Sequence, residues 1–226
     1  ADTERIAIPN VVVDSRQVQP GSLFVALQGE TRDGHTFIPD ALARGAAAIL
    51  AETRAGVGEG LGPNVHLIDP KNQSVAGLQP SPSPLAPVVF LVDSSLMALQ
   101  QLAAFWRRKF ACQVVGVTGS IGKSSTKELI AAVLRQRFNT LKSEGNLNNE
   151  IGLPLTVLQL NETHERAVLE MGMYALDEIK VLCEIAQPRI GVVTNIGPVH
   201  LGRLGSIENI ARAKAELVQA LPADGV

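Results

Sequence analysis

From residue 94 onward the sequence alternates short runs that are apolar on both faces with segments of helical period, and this alternation restricts the possible folds more than any other feature. The runs at 113–117, 166–170 and 189–194 are short and β-branched, whereas 123–138, 149–160, 175–186 and 206–221 are helical by period or composition. A strand that is apolar on both faces needs cover on both, and strands separated by helices cross over in one direction. The expected fold class is therefore α/β, with a parallel sheet flanked by helices in a domain over 94–226. Ser94 or Ser95 caps a leading helix whose apolar positions Leu96, Leu99, Leu102, Ala103, Trp106 and Phe110 keep helical spacing. Arg107, Arg108 and Lys109 fall at its C-terminal end, where positive charge suits the helix dipole.

Residues 1–93 have a different texture and read as a small α/β domain of their own. Brief apolar runs at 5–8, 11–14, 23–27 and 47–50 are separated by Pro9, Pro20-Gly21 and Gly29, with an Ala-rich helix around 39–45. The Gly-rich stretch 55–62 and the Pro-rich stretch 79–87 read as surface loops around a strand at 65–68, and 88–92 as the last strand.

A length of 226 residues accommodates two such domains. No apolar run approaches the roughly 18 residues that a membrane helix needs. Net charge is -2, and the six Phe, Trp106 and Tyr174 fall mostly in periodic apolar segments, so neither a basic face nor a stacking platform for nucleic acid is expected. Cys112 and Cys183 form no metal-type pair and suit a reducing compartment. The sequence opens on Ala1-Asp2 with no basic n-region or apolar h-region, so no export signal is expected, and a cytoplasmic, monomeric protein is the expectation.

The sharpest local signal is Gly116-Val117-Thr118-Gly119-Ser120-Ile121-Gly122-Lys123-Ser124-Ser125, which follows an expected buried strand and opens an expected helix. Glycines let backbone N–H groups close on phosphate oxygens, and a helix N-terminus adds partial positive charge. Thr118, Gly119, Ser120, Ile121, Gly122, Lys123, Ser124 and Ser125 are therefore the candidate nucleotide-binding residues, with Lys123 at the β- and γ-phosphates and Ser124 on magnesium. The loop is a variant of G-x-x-x-x-G-K-[ST], because Val117 stands where the first glycine belongs. The alternative is a strand-to-helix turn without a ligand.

Ligands of open parallel sheets collect beyond the C-terminal strand ends, and three expected strands end in this loop, in Glu170 and in the loop carrying His200. Glu170 reads as a hard oxygen ligand for magnesium or as a paired structural carboxylate; His200 reads as a less usual ligand or as a loop histidine. On the helix at 206–221, Ile207, Ile210, Lys214, Leu217, Val218 and Leu221 share one face. A lysine in the middle of an apolar stripe tends to lose its proton and become nucleophilic, unless it snorkels at the rim. Asn146, Asn148 and Asn149, in a Gly-led loop before a helix, hold a turn or touch a ligand.

Gly116-x-Thr118-Gly119-x-x-Gly122-Lys123-Ser124 resembles the ATP loop of the Mur ligases, the ATP-dependent amide-forming enzymes of peptidoglycan precursor synthesis. Gly145-Asn146-Leu147-Asn148-Asn149-Glu150-Ile151-Gly152-Leu153-Pro154 resembles a segment of the branch that adds D-alanyl-D-alanine to UDP-N-acetylmuramoyl-tripeptide. Leu169-Glu170-Met171-Gly172, Asn195-Ile196-Gly197-Pro198-Val199-His200 and Ile210-Ala211-Arg212-Ala213-Lys214-Ala215-Glu216 resemble the same branch, in the same order. Asp14-Ser15-Arg16 and the turn from Gly29 through Asp33-Gly34-His35 are similar to its UDP-substrate domain.

The resemblance implies ATP and Mg2+ as cofactors, Ser124, Glu170 and His200 around the metal, and Lys123, His200 and Lys214 as catalytic residues, Lys214 either carbamoylated or in an ion pair. It implies a substrate role for Ser15, Arg16, Gly29, Asp33, Gly34, His35, Asn146, Asn148 and Asn149. Tyr174-Ala175-Leu176-Asp177-Glu178 departs from the glycine-rich pattern of the family. The resemblance further implies that the central domain continues past Val226 into a third domain, so that 1–226 alone is expected to be inactive. An inert nucleotide- or UDP-sugar-binding fragment and a folylpolyglutamate-synthase-like ligase are the competing readings, the latter opposed by Asp14-Ser15-Arg16.

Overall fold

The computed structural model describes residues 8–54, 57, 61, 65–70, 86–199 and 201–226. The expected strand at 5–8 and the loops at 55–62 and 79–87 lie largely outside these residues, and His200 lies outside them altogether. The chain forms two compact units, 1–99 and 100–226.

In the first unit, β1 (Val11–Val12), β2 (Leu23–Val25), β3 (Ala48–Glu52), β4 (His66–Ile68) and β5 (Val88–Val92) form a parallel sheet in the order β1-β2-β3-β5-β4. Phe24, Ile49 and Val89 are fully buried at its centre, as the two-sided apolar runs require. Helix α1 (Ile38–Ala43) carries Pro39 in its first turn, where the missing N–H has no intrahelical partner to lose. Two 3-10 turns, Ser15–Gln17 and Gly34–Phe37, are N-capped by Asp14 and Asp33. Helix α2 (Ser95–Arg107) contains the boundary between the units.

The second unit holds β6 (Gln113–Thr118), β7 (Thr140–Lys142), β8 (Arg166–Glu170) and β9 (Ile190–Val193), all parallel, in the order β7-β8-β6-β9. The helices are α3 (Lys123–Leu134), α4 (Gly152–Val157), α5 (Glu178–Ala186), α6 (Leu201–Leu204) and α7 (Ile207–Gln219). Register places Val117 beside Glu170 and Thr118 beside Val193, so the central strand β6 delivers the glycine loop between the ends of β8 and β9.

Three features depart from the sequence expectation. β7 was not expected, and α3 and α4 are shorter than 123–138 and 149–160. Asn149 shortens α4 by taking the N–H groups of Ile151 and Gly152 on its Oδ1 at 3.3 and 2.9 Å. Arg107 lies in the last turn of α2 as expected, but it is buried rather than solvated, and its guanidinium donates to the carbonyls of Ala186, Phe110 and Cys112 at 2.8, 2.9 and 2.7 Å.

The apolar stripe of α7 is also narrower than expected. Ile210, Ala213, Lys214 and Leu217 are buried, whereas Ile207 and Val218 are exposed. Leu217 explains how closely the helix lies on the sheet. A Cβ on Gly116 would stand 2.8 Å from its Cδ1, and one on Gly191 3.2 Å from its Cγ; the two glycines are register neighbours on β6 and β9. No helix among the described residues is long and apolar enough to cross a membrane.

Candidate functional site

The glycine loop is built around two positive backbone angles. Gly119 has φ +145° and Gly122 φ +85°, conformations that side chains rarely tolerate. At Gly119 space is limiting as well, since a Cβ would fall 1.9 Å from the Thr194 Oγ1. The loop is tied to the segment after β9 at several points. Ser120 N–H donates to the Asn195 carbonyl at 3.0 Å, and the Ser120 hydroxyl donates to the Gly197 carbonyl while accepting from the Gly197 N–H. The Asn195 carboxamide grips Ile121 at both ends, Oδ1 accepting from its N–H and Nδ2 donating to its carbonyl, each at 3.0 Å.

This accounting divides the expected nucleotide residues into two groups. Thr118, Ser120 and Ile121 work internally, the Thr118 hydroxyl donating to the Met171 carbonyl at 2.8 Å. Lys123, Ser124 and Ser125 form the first turn of α3, whose N–H groups have no intrahelical acceptor. No side chain caps this helix, and its first turn contains no acid. The Lys123 Nζ rests on the carbonyls of Gly119 and Ser120 at 2.9 and 3.4 Å. An uncapped, acid-free helix start with a lysine folded over its loop suits a phosphate.

Beside the loop lies a pocket of about 190 Å³ lined by Gly119, Lys123, Asn148, Gly172, Tyr174 and Lys214, among others. Four sequence-distant segments meet here: the glycine loop, the asparagine loop, the turn after β8 and the middle of α7. Lys214 is 3% exposed. Burial, followed by the nearby Lys123 charge, lowers its ammonium from 10.5 to about 8. Among the described residues no carboxylate pairs with it. A larger concavity of about 1270 Å³ lies at the opposite edge of the sheet, near Gln113 and Arg189 at strand starts; the smaller one is at the strand C-termini, where ligands of such sheets bind.

Glu170 is 1% exposed at the end of β8. Its Oε1 accepts from the Asn148 Nδ2 at 2.9 Å, whereas Oε2 is buried without a hydrogen-bond donor. An orphaned carboxylate oxygen of this kind fits a divalent cation. Mg2+ takes few protein carboxylates and relies on phosphate and water oxygens, so a single buried carboxylate oxygen suits it. Asn148 also crowds Gly172, where a Cβ would stand 2.9 Å from its Oδ1. Asn146 is exposed and its carbonyl accepts from the Asn148 N–H. Ser143, whose hydroxyl accepts from the Glu170 N–H, and buried Lys127 were missed in the sequence, each a single polar residue without a motif of its own; Asn195 heads a recognised motif, but its clamp on Ile121 was not foreseen.

In the first unit the expected substrate residues lie in two places: Ser15 and Arg16 in the turn after β1, and Gly29, Asp33, Gly34 and His35 in the segment after β2, beside the end of β3. Arg16 is exposed and grips Asp14 at 2.6 Å, which lowers the Asp14 carboxyl to about 2. Ser15 is buried. The Gly29 N–H closes a turn onto the Arg32 carbonyl, and the Gly34 N–H bonds to the Leu27 carbonyl. His35 is fully engaged. Its Nε2 accepts from the Glu52 N–H at 2.9 Å, which assigns the proton to Nδ1, and Nδ1 donates to Asp33 Oδ1 at 2.6 Å. Asp33 Oδ2 in turn holds Arg54 at 2.8 Å, and Arg54 also bonds Gln28 and Glu52. Arg54 was hidden in the sequence by the loop-like stretch that follows it.

A parallel sheet whose central strand feeds a glycine loop, a lysine and an uncapped helix defines a P-loop α/β protein of the nucleotide-binding type. Comparison with known proteins narrows this class. Residues 7–107 match the profile described as Mur ligase family, catalytic domain, and 117–226 match the Mur ligase middle domain. The UDP-N-acetylmuramoyl-tripeptide--D-alanyl-D-alanine ligase of Synechocystis is 44% identical over 220 residues, covering 97% of this chain and 43% of that protein. MurF from Acinetobacter baumannii superposes with a TM-score of 0.79 at 32% identity, over 96% of this chain and 42% of that one. MurF from Thermotoga maritima, solved in complex with ADP, gives 0.75 at 35%, over 94% and 43%. The chain belongs to the Mur ligase family, and it spans less than half the length of the relatives it matches.

Proposed function

We propose that this chain carries the ATP site and the UDP-substrate domain of a ligase that joins D-alanyl-D-alanine to UDP-N-acetylmuramoyl-tripeptide. The observation that carries the proposal is the pocket where Lys123 of the glycine loop, Asn148 and buried Lys214 meet, in a chain 44% identical to a ligase of that name. The ADP bound to the Thermotoga relative supports ATP as the nucleotide.

A carboxylate is unreactive toward amines because its leaving group is poor. Transfer of the ATP γ-phosphoryl to the tripeptide carboxylate forms a new P–O bond as the bond to ADP breaks, giving an acyl phosphate. The dipeptide amine then attacks the acyl carbon, the C–O bond to phosphate breaks, and the amine proton leaves to solvent. The first-turn N–H groups of Lys123, Ser124 and Ser125, with the Lys123 ammonium, would stabilise the charge that develops on the transferring group. Ser124, Glu170 and His200 would hold Mg2+, which when bound neutralises phosphate charge. Thr118, Gly119, Ser120, Ile121 and Gly122 set the shape of the loop.

Lys214 suits carbamoylation. The ammonium first gives up a proton to solvent; the neutral amine then attacks carbon dioxide, a C–N bond forms as one C=O π bond opens onto oxygen, and a second proton leaves, so that an anionic carbamate stands beside Lys123. Ser15, Arg16, Gly29, Asp33, Gly34 and His35 would shape the UDP subsite, with Asn146, Asn148 and Asn149 toward the peptide and phosphates. The enzyme would act as a cytoplasmic monomer, where ATP and nucleotide-linked precursors are found. The test is phosphate release from ATP by the intact protein. The proposal requires dependence on both the UDP-linked tripeptide and the dipeptide; release indifferent to the dipeptide would contradict it.

A further inference from the structure

Lys127 lies one helical turn beyond Lys123 on α3, yet it is as buried as the core, with 1% of its surface exposed. A buried ammonium is expensive unless several acceptors surround it, and its acceptors come from three parts of the site. Nζ donates to the Gly145 carbonyl at 3.3 Å, stands 3.3 Å from Glu128 Oε1, and stands 3.8 Å from Glu170 Oε2. Glu128 is shared, since the Lys142 Nζ reaches both its oxygens at 2.9 Å and Glu144 at 3.3 Å. Alternating charges thus run inward from exposed Glu144 through Lys142, Glu128 and Lys127 to buried Glu170.

At 3.8 Å the last contact is an ion pair without a hydrogen bond. The Lys127 charge offsets that of Glu170, while the Oε2 lone pairs stay open. A divalent cation bound to Oε2 would therefore share the carboxylate with a resident ammonium, and two like charges a few ångströms apart in a buried site repel strongly. The added negative charge of a nucleotide's phosphates would offset that repulsion.

We infer that Lys127 is a positioning residue, the built-in counter-ion of Glu170, which keeps the carboxylate oriented and makes divalent-cation binding conditional on nucleotide. The inference rests on the reading that Glu170 faces the nucleotide's cation. It assigns Lys127 a role that Lys123 does not fill, because the Lys123 ammonium is held by the loop carbonyls.

The test is Mn2+ titration of the intact protein, with and without ADP, followed by the spin-resonance signal of free Mn2+ and by the thermal shift on metal addition. Wild type is expected to bind Mn2+ far more tightly with ADP than without. Lys127→Met should tighten nucleotide-free Mn2+ binding about tenfold or more and enlarge the metal-induced thermal shift, whereas Lys127→Arg should behave as wild type. Lys127→Gln, which retains a donor for the Gly145 carbonyl, should match Lys127→Met in metal affinity and guards against misfolding of the latter. Unchanged or weaker nucleotide-free binding in a folded neutral variant overturns the inference. Failure of both neutral variants to fold even with Mn2+ also overturns it. No Mn2+–ADP binding by wild type would instead overturn the underlying reading of the site.

Discussion

Asn195 holds Ile121 as one nucleobase holds another, its Oδ1 accepting from the Ile121 N–H and its Nδ2 donating to the Ile121 carbonyl, both at 3.0 Å. The loop that would receive phosphate is thereby fixed from outside, by the segment that follows β9. Each of these bonds is worth about 1 kcal/mol net. Asn195→Ala should weaken ADP binding about tenfold by calorimetry while leaving the far-ultraviolet circular dichroism unchanged. Undiminished affinity would show that the loop holds its shape without the clamp.

Gly119→Ala tests the space around the same loop. The new methyl group meets the Thr194 hydroxyl at 1.9 Å on a backbone with φ +145°, so either β9 or the loop must move. A loss of at least about 2 kcal/mol in denaturant unfolding is expected. Thr194→Ala on the same background should recover only part of it, since the Thr194 Cβ would still lie 3.0 Å away.

The pH dependence of stability reports on Lys214. Its folded-state value of about 8 lies below the ordinary 10.5, so between these values the unfolded chain binds more protons and stability rises with pH. Below about pH 8 the ammonium is present in both states and its burial is a constant penalty. In carbon-dioxide-free buffer, Lys214→Met should remove this rise and stabilise the protein at neutral pH. A wild-type and variant difference that stays flat from pH 8 to 10.5 would contradict the buried, lowered amine.

His35 makes a structural prediction on a residue that the sequence motif assigns to substrate. Both ring nitrogens are engaged, by Asp33 and by the Glu52 N–H, and its side chain is 7% exposed. His35→Ala should cost about 2–4 kcal/mol of stability, measured by chemical denaturation. A change in substrate affinity without loss of stability would place the ring on the ligand instead.

What the sequence revealed followed from local pattern. The two-sided apolar runs announced the parallel sheet of the second unit, and the glycine spacing announced the loop between β6 and α3; that the first unit is also a parallel sheet was not legible in its short runs. The position of Lys214 among Ile210 and Leu217 announced a buried lysine. What stayed hidden depends on contacts between distant residues. Thr140–Lys142 has no apolar run and becomes β7 by pairing with β8, Thr140 opposite Arg166 and Lys142 opposite Val168. Lys127 looks like an ordinary polar helix position until Glu170 is brought to its Nζ. Arg107 reads correctly as a charge at the C-terminal end of α2, but its burial stays hidden because the carbonyls it satisfies include that of Ala186, far along the chain. The clamp made by Asn195 and the ion pairs of Arg54 stay hidden, since their partners, Ile121 for the one and Asp33 and Gln28 for the other, lie far off in sequence.

In the proposed ligase reaction the tripeptide carboxylate would be activated by phosphoryl transfer. This step is tested most directly with UDP-linked tripeptide labelled with oxygen-18 in its terminal carboxylate, incubated with the intact protein, ATP, Mg2+ and D-alanyl-D-alanine. Each turnover is expected to carry one carboxylate oxygen into inorganic phosphate, detected as a mass increase of the released phosphate. Amide formation with unlabelled phosphate, or phosphate release with no amide product, would contradict it.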